Sequence, residues 1–155
     1  MFLVAAELAR HGWPASVTYG NTPRTDVLGA VGARQIPVAI QVKTKGERSR
    51  DFQLGGVAAG SPRGVNEWVV LVALYVAAPA DFYVVPRNHV AATVLAVLED
   101  RPGNTRGMLG PQEFEGYRDE WELMERPAEQ VPWRGQGWVL RRSNASLVRP
   151  RQAPK

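Results

Sequence analysis

Three polar side chains in the first third of the chain have the chemistry that metal-assisted phosphodiester hydrolysis requires. Gln41 and Lys43 lie in the alternating stretch 38–43, which predicts a β-strand carrying both side chains on one face. A hairpin would bring the isolated carboxylate of Asp26 beside that strand. A hard divalent cation binds oxygen ligands, and an ammonium offsets the negative charge that develops on a phosphate during hydrolysis. The three residues together predict nucleic-acid chemistry.

Each of these residues also has an ordinary structural explanation. A lysine such as Lys43 can lay its stem along apolar surface while its ammonium reaches water. Asp26 can cap a turn or a strand edge, and the turn-forming sequence around Asn21 and Thr22 needs no function to explain it, although both side chains could contact phosphate. The functional interpretation therefore depends on the carboxylate, the amide and the ammonium acting together.

The elements that must hold these residues alternate between helix and strand. Residues 2–12 predict a helix that ends at Gly12, and the continuously apolar stretch 67–75 predicts a strand buried on both faces and central to the sheet. Further strands are predicted at 16–19, 25–31, 36–44, 52–54 and 81–85, and a second helix at 89–98. We expect an α/β (α+β) fold with a central mixed β-sheet of about four or five strands flanked by the two helices.

Composition excludes several kinds of site. The chain of 155 residues has no cysteine and two histidines, which excludes disulfides, thiolate metal sites and a cysteine nucleophile, and argues against a zinc site built on imidazole. Residues 1–11 lack the charged start and long apolar run of a secretory signal, and the apolar run 69–78 is too short to span a bilayer. We expect a cytoplasmic protein without a membrane partner.

The net charge of +4 is unevenly distributed along the chain. Residues 126–155 hold seven Lys and Arg residues against one Glu, whereas residues 1–125 hold 12 basic and 14 acidic residues. We therefore predict a domain over 1–125 and a basic C-terminal tail over 126–155. Clustered basic residues attract the phosphate backbone of nucleic acids, so the tail is either a polyanion-binding arm or a solvated extension.

Two tryptophans lie among the basic residues of the predicted tail. Trp133 and Trp138 could stack on unpaired bases beside the tail arginines. They could equally anchor the tail to the body or to a second subunit. In the segment before the tail, 111–125, aromatic side chains are expected to pack back on the body.

The order of these features resembles the restriction-endonuclease-like, or PD-(D/E)xK, nuclease superfamily, and is most similar to its small bacterial members. The resemblance covers residues 1–125 and rests on Glu7 in the first helix, Asp26 at the second strand and Gln41-x-Lys43 on the third. It implies a restriction-endonuclease-like core in which Asp26 and Gln41 hold Mg²⁺ or Mn²⁺. It also implies that Glu7 completes the metal site and that Lys43 assists the attacking water or the developing charge.

Two positions depart from the superfamily pattern. Gln41 places a neutral amide where the pattern has a carboxylate, which removes one formal charge from the metal site and should weaken metal binding. Thr25, rather than proline, precedes Asp26.

The resemblance and the residues together predict a metal-dependent endonuclease, with DNA as the expected substrate. The alternatives are a catalytically inactive nuclease-fold module that binds nucleic acid and an interaction or oligomerisation protein, for example a homodimer. Candidate contacts to nucleic acid are Asn21, Thr22, Lys45, Arg134, Arg141 and Arg142.

Overall fold

The computed structural model describes residues 1–19, 24–58, 66–101, 103–135, 139–140 and 147–148. Its helices are α1 (Phe2–Arg10), α2 (Gly55–Ala58) and α3 (Arg87–Asp100), with 3₁₀ turns at Pro111–Tyr117, Trp121–Glu125 and Ala128–Gln130. Its strands are β1 (Ala15–Val17), β2 (Val27–Val31), β3 (Ile36–Lys45), β4 (Phe52–Gln53), β5 (Glu67–Ala73), β6 (Asp81–Pro86), β7 (Met108–Leu109), β8 (Val139–Leu140) and β9 (Leu147–Val148).

The main sheet has five strands in the order β1-β2-β3-β5-β6. The first three strands form an antiparallel meander, β3 pairs with β5 in parallel, and β5 pairs with β6 antiparallel. The prediction of an α+β fold with a mixed sheet of this size is thereby confirmed. The buried apolar strand β5 is an interior strand as expected, but β3 takes the middle position, and β3 carries the candidate chemistry.

Helix α1 packs on one face of the sheet. A side chain at Gly29 would meet Val38 Cγ2 at 3.3 Å and Leu8 Cδ1 at 3.6 Å, so glycine at this position lets the helix approach the strands closely. The helix ends as predicted, because Gly12 adopts a φ of 74° that disfavours other residues. The α1 face of β3 therefore includes Val38 and, by alternation, Ile40.

The opposite face of β3 carries its polar side chains. Gln41 pairs with Val69 and Lys43 pairs with Leu71 in the parallel ladder, so both residues share a face as the alternating sequence predicts. Helix α3 contacts β5 and β6 and also packs on α2. A buried arginine at the start of α3 reaches Gln41, which places this helix on the polar face.

The packed body continues beyond residue 125. Phe114, Tyr117 and Trp121 are buried, which confirms that segment 111–125 packs on the body. Ala128 and Val131 are buried as well. The body therefore includes at least the first part of the segment expected to be a tail. Among the described residues, no helix is long and apolar enough to cross a membrane.

Candidate active site

Asp26 lies where β2 and β3 separate. The β2–β3 ladder ends at the pair Val27–Ile40, while β3 continues to Lys45. Asp26 N donates to Ile40 O at 2.8 Å, and Asp26 Oδ2 accepts a hydrogen bond from Val42 N at 2.7 Å. The carboxylate thus accepts from a backbone N–H of β3 that lies beyond the last residue pair with β2. Its Oδ1 makes no hydrogen bond within the described ranges, and the residue is only partly buried.

Gln41 is held by an arginine that sequence reasoning missed. Arg87 Nη1 donates to Gln41 Oε1 at 2.9 Å across 46 residues of chain. The same guanidinium donates from Nη2 to Val57 O at 3.1 Å and lies 3.5 Å from Glu67 Oε2 through its Nε. With 3% exposure, Arg87 is a buried charge paired by a partly buried carboxylate. The sequence feature that could have pointed to Arg87 was its position directly after the apolar strand β6.

Lys43, on the same face of β3 as Gln41, has an ammonium without a partner among the described residues. It is partly buried, and its Nζ forms no hydrogen bond or ion pair with any residue in the described part of the chain. Since strand residues rise by about 3.3 Å each, the Lys43 and Gln41 backbones lie about 7 Å apart. Gln41 and Lys43 flank Val42, whose backbone N–H donates to the Asp26 carboxylate, so the three residues lie near one another along β3.

Glu7 lies elsewhere. Its carboxylate binds Arg10 Nη1 at 3.0 and 3.3 Å, and its helix covers the face of the sheet opposite to Gln41. The pKa of Asp119 is raised chiefly by burial, and the charges of Asp81, Glu7 and Glu115 add to that rise. No hydrogen bond joins Glu7 to Asp26 among the described residues.

Two of the six expected nucleic-acid contacts, Lys45 and Arg134, lie in the described part of the chain, and both have partners there. Lys45 is 9% exposed, donates to Ser49 O at 3.1 Å and lies over the rings of Phe52 and Tyr75, so its ammonium is enclosed. Arg134 pairs with Glu120 at 3.0 Å. Asn21, Thr22, Arg141 and Arg142 lie outside the described residues.

The oxygen ligands of the site fit a divalent cation that takes most of its coordination shell from water and substrate. The described residues contain no group of three or more His, Cys, Asp or Glu side chains that could enclose a metal. Mg²⁺ is often held by one or two carboxylates, with waters and substrate phosphates completing its shell. Asp26 Oδ1 suits that sparse mode, whereas the Gln41 oxygen already accepts a hydrogen bond from Arg87.

A second polar cluster is enclosed between α3 and the C-terminal segment. His89 Nδ1 lies 2.9 Å from Tyr117 Oη, which also accepts a hydrogen bond from Arg134 N at 2.9 Å. The Trp133 ring packs edge-on against His89 at 5.1 Å. Burial lowers the pKa of His89 to about 4 and raises the pKa of Tyr117 to about 12, so both are neutral near pH 7. This cluster holds the chain up to Arg134 against α3, and His89 has a structural role in it.

We find no match to the chain among protein-family models, curated proteins or solved structures. The functional assignment therefore depends on the geometry of the site and on the residue pattern of the sequence.

Proposed function

We propose that this protein is a metal-dependent nuclease that hydrolyses phosphodiester bonds in nucleic acid, with DNA as the expected substrate. The observation that carries the proposal is the position of the Asp26 carboxylate, 2.7 Å from Val42 N, on the strand that carries Gln41 and Lys43. The carboxylate thereby binds the backbone of Val42, which lies between Gln41 and Lys43, just beyond the end of the β2–β3 ladder.

The order of the elements supports the resemblance to restriction-endonuclease-like proteins. Glu7 is on the first helix, Asp26 directly precedes the second strand, and Gln41 and Lys43 are on the third. The third strand is also the middle strand of the sheet, flanked by an antiparallel and a parallel neighbour. This placement agrees with the proposed restriction-endonuclease-like core.

In the proposed reaction, one P–O bond is exchanged for a bond to a water oxygen, and the leaving oxygen takes up a proton. Asp26 would hold Mg²⁺ or Mn²⁺ through Oδ1. When bound, such an ion polarises the phosphate and lowers the pKa of a coordinated water. Lys43 faces the same surface, where its ammonium would orient the attacking water and offset the charge that develops on the phosphate oxygens.

One observation favours a second candidate, a nuclease-fold module that binds nucleic acid without cutting it. Gln41 replaces a carboxylate, and its oxygen is engaged by a buried arginine, which leaves Asp26 as the charged ligand of the site. Such a module would bind nucleic acid with an affinity that falls as salt rises, because counterions are released on binding. It would show neither metal-dependent cleavage nor stoichiometric metal binding.

Cleavage assays with matched variants separate the two candidates. Labelled single-stranded, duplex and branched DNA, and RNA, are incubated with Mg²⁺ or Mn²⁺ and wild-type protein, Asp26→Asn or Glu47→Gln. Glu47 is exposed in the loop after β3, so its variant carries the same charge change without touching the site. The proposal predicts metal-dependent cutting that Asp26→Asn abolishes and Glu47→Gln retains. Salt-sensitive binding without cutting on any substrate would instead establish the binding module.

A further inference from the structure

The Gln41 amide has one orientation that satisfies its neighbour. A guanidinium has only donors, so the group facing Arg87 Nη1 at 2.9 Å must be the amide oxygen. The two orientations of a glutamine amide have nearly the same shape, so hydrogen-bond partners decide which branch is the oxygen and which is the nitrogen. The amide nitrogen, Nε2, is therefore on the branch directed away from Arg87.

Arg87 is itself too constrained to follow a rotated amide. Its three nitrogens engage β3 through Gln41, α2 through Val57 O and β5 through Glu67. Turning the amide over would set donor against donor and remove an acceptor from a guanidinium that is 3% exposed. The amide is thus held in place before any ligand arrives.

The donors of Gln41 and Lys43 are available together. Neither Gln41 Nε2 nor Lys43 Nζ donates to a residue in the described part of the chain, and the two side chains share a face of β3. A neutral donor beside a cationic donor suits an anion with several acceptor oxygens. Nucleic-acid phosphates are contacted by amide and ammonium donors of this kind.

We infer that Gln41 donates Nε2–H to a phosphate of the bound nucleic acid, and that Arg87 is a positioning residue that fixes the amide for this contact. The inference rests on the proposed function only in placing a phosphate at this site. It assigns Gln41 to substrate binding, where the resemblance assigns it to the metal.

The two roles of Gln41 predict opposite effects of a carboxylate. Gln41→Glu keeps the shape of the side chain but replaces the N–H donor by negative charge. If Gln41 binds phosphate, this variant should weaken metal-free binding of nucleic acid about tenfold or more, since it removes a hydrogen bond to a charged group. If Gln41 is a metal ligand, the variant should strengthen Mn²⁺ binding, and Gln41→Met, which removes the donor without adding charge, should leave metal-free binding intact.

The decisive experiment is fluorescence anisotropy of labelled short DNA at low salt with EDTA, together with Mn²⁺ binding measured by electron paramagnetic resonance. Gln53→Glu is the matched control, because Gln53 is an exposed residue of β4 and the substitution changes the same charge. We expect about a tenfold loss for Gln41→Glu and less than about a twofold loss for Gln53→Glu. Equal affinities for wild type and Gln41→Glu would overturn the inference, as would wild-type protein that binds no DNA.

The same samples keep the inference separate from the proposed function. Wild-type protein that binds DNA but fails to cut it with Mn²⁺ removes the nuclease proposal, and a weakened Gln41→Glu still upholds the phosphate contact. Cutting by wild type with unchanged binding by Gln41→Glu upholds the nuclease and removes the contact.

The role of Arg87 is tested by a double-mutant cycle on metal-free affinity. Arg87→Lys keeps the charge but cannot make all the guanidinium contacts. It should weaken DNA binding by about fivefold in wild type and by less than about twofold in a Gln41→Met background, because its effect passes through the amide. Equal effects in both backgrounds would mean that Arg87 does not act through Gln41.

If Arg87→Lys does not fold, wild-type protein supplies the test. The side-chain NH₂ signals of Gln41, identified by their absence in Gln41→Met, should shift when DNA is added in EDTA. Unchanged signals at saturating DNA would overturn the contact.

Discussion

Two polar clusters of this protein differ in what they leave unsatisfied. Around His89, the ring nitrogen Nδ1 meets Tyr117 Oη, and Tyr117 Oη also accepts from Arg134 N. On β3, by contrast, Asp26 Oδ1, Gln41 Nε2 and Lys43 Nζ have no hydrogen-bond partner among the described residues. The named polar atoms of the first cluster bind one another, although Trp133 Nε1 beside them is buried without a hydrogen-bond partner in the described chain. We call the first cluster closed and the second open, because the second has an acceptor and two donors without such a partner.

This difference separates residues that stabilise the fold from residues that are available to bind a ligand. Buried polar groups are nearly always hydrogen-bonded, so a closed network specifies a packing arrangement. Charged and polar groups on the middle strand that find no partner in the described chain are not needed to specify packing. We expect substitutions in the closed cluster to change stability but not cleavage. Substitutions in the open cluster that keep an acceptor for Val42 N should change cleavage but not stability.

The largest effect is expected at Asp26. Asp26→Asn keeps an oxygen that can accept from Val42 N but removes the charge that would hold a metal ion. Cleavage should fall about a thousandfold or more, while the free energy of unfolding in urea changes by less than about 1 kcal/mol. Asp26→Ala should lose cleavage equally and also about 1–2 kcal/mol of stability, because Val42 N loses its acceptor. Full activity in Asp26→Asn would exclude this carboxylate from the reaction.

A smaller effect, a loss of stability at low pH, is expected from the protonation of His89. The pKa of His89 is about 4 in the folded protein and 6.5 in its ordinary state, so the unfolded chain binds a proton that the folded protein excludes between these values. Stability should be highest above pH 6.5 and should fall as pH drops toward 4, by up to about 3 kcal/mol from this group.

Denaturation at a series of pH values measures this dependence. His89→Gln removes the titrating group and should flatten the profile between pH 4 and 6.5. A variant profile that falls as steeply as the wild-type profile would show that other groups cause the acid sensitivity.

Tyr117→Phe should have the next effect. The variant removes the hydroxyl that joins His89 Nδ1 to Arg134 N and leaves the buried ring nitrogen and the partly buried backbone N–H without this partner. The free energy of unfolding should fall by about 2 kcal/mol, with cleavage per folded molecule unchanged. Loss of cleavage at unchanged stability would break the distinction between the closed and open clusters.

The smallest effect is expected at Glu7, which the resemblance assigns to the metal site. Its carboxylate binds Arg10 on a helix that covers the other face of the sheet. Glu7→Gln should therefore change cleavage by less than about threefold and stability by less than about 0.5 kcal/mol, as for an exposed pair on a helix. A loss of cleavage as large as that of Asp26→Asn would return Glu7 to the site.

Local patterns predicted most of the fold. The alternation along β3 predicted that Gln41 and Lys43 share a face, and the register confirms it. The glycine end of α1 and the buried strand β5 were readable for the same reason, because each depends on neighbours in sequence.

The contacts of the site were less predictable because they join distant parts of the chain. The bond between Arg87 and Gln41 spans 46 residues and depends on how α3 packs on the sheet. Lys45 continues the alternating pattern of β3, yet its ammonium is covered by Phe52 and Tyr75, which lie beyond the strand. Periodicity identifies the face of a side chain but not the element that covers it.

Single-turnover cleavage by Lys43→Met measures whether the Lys43 ammonium acts in the reaction. The control is Arg48→Met, which removes an exposed cation from the loop after β3. On the preferred substrate with Mg²⁺ or Mn²⁺, the account predicts a rate about a hundredfold lower for Lys43→Met, with unchanged folding, and a nearly wild-type rate for Arg48→Met. Equal rates for the two variants would contradict a catalytic role for Lys43 and for the open cluster on β3.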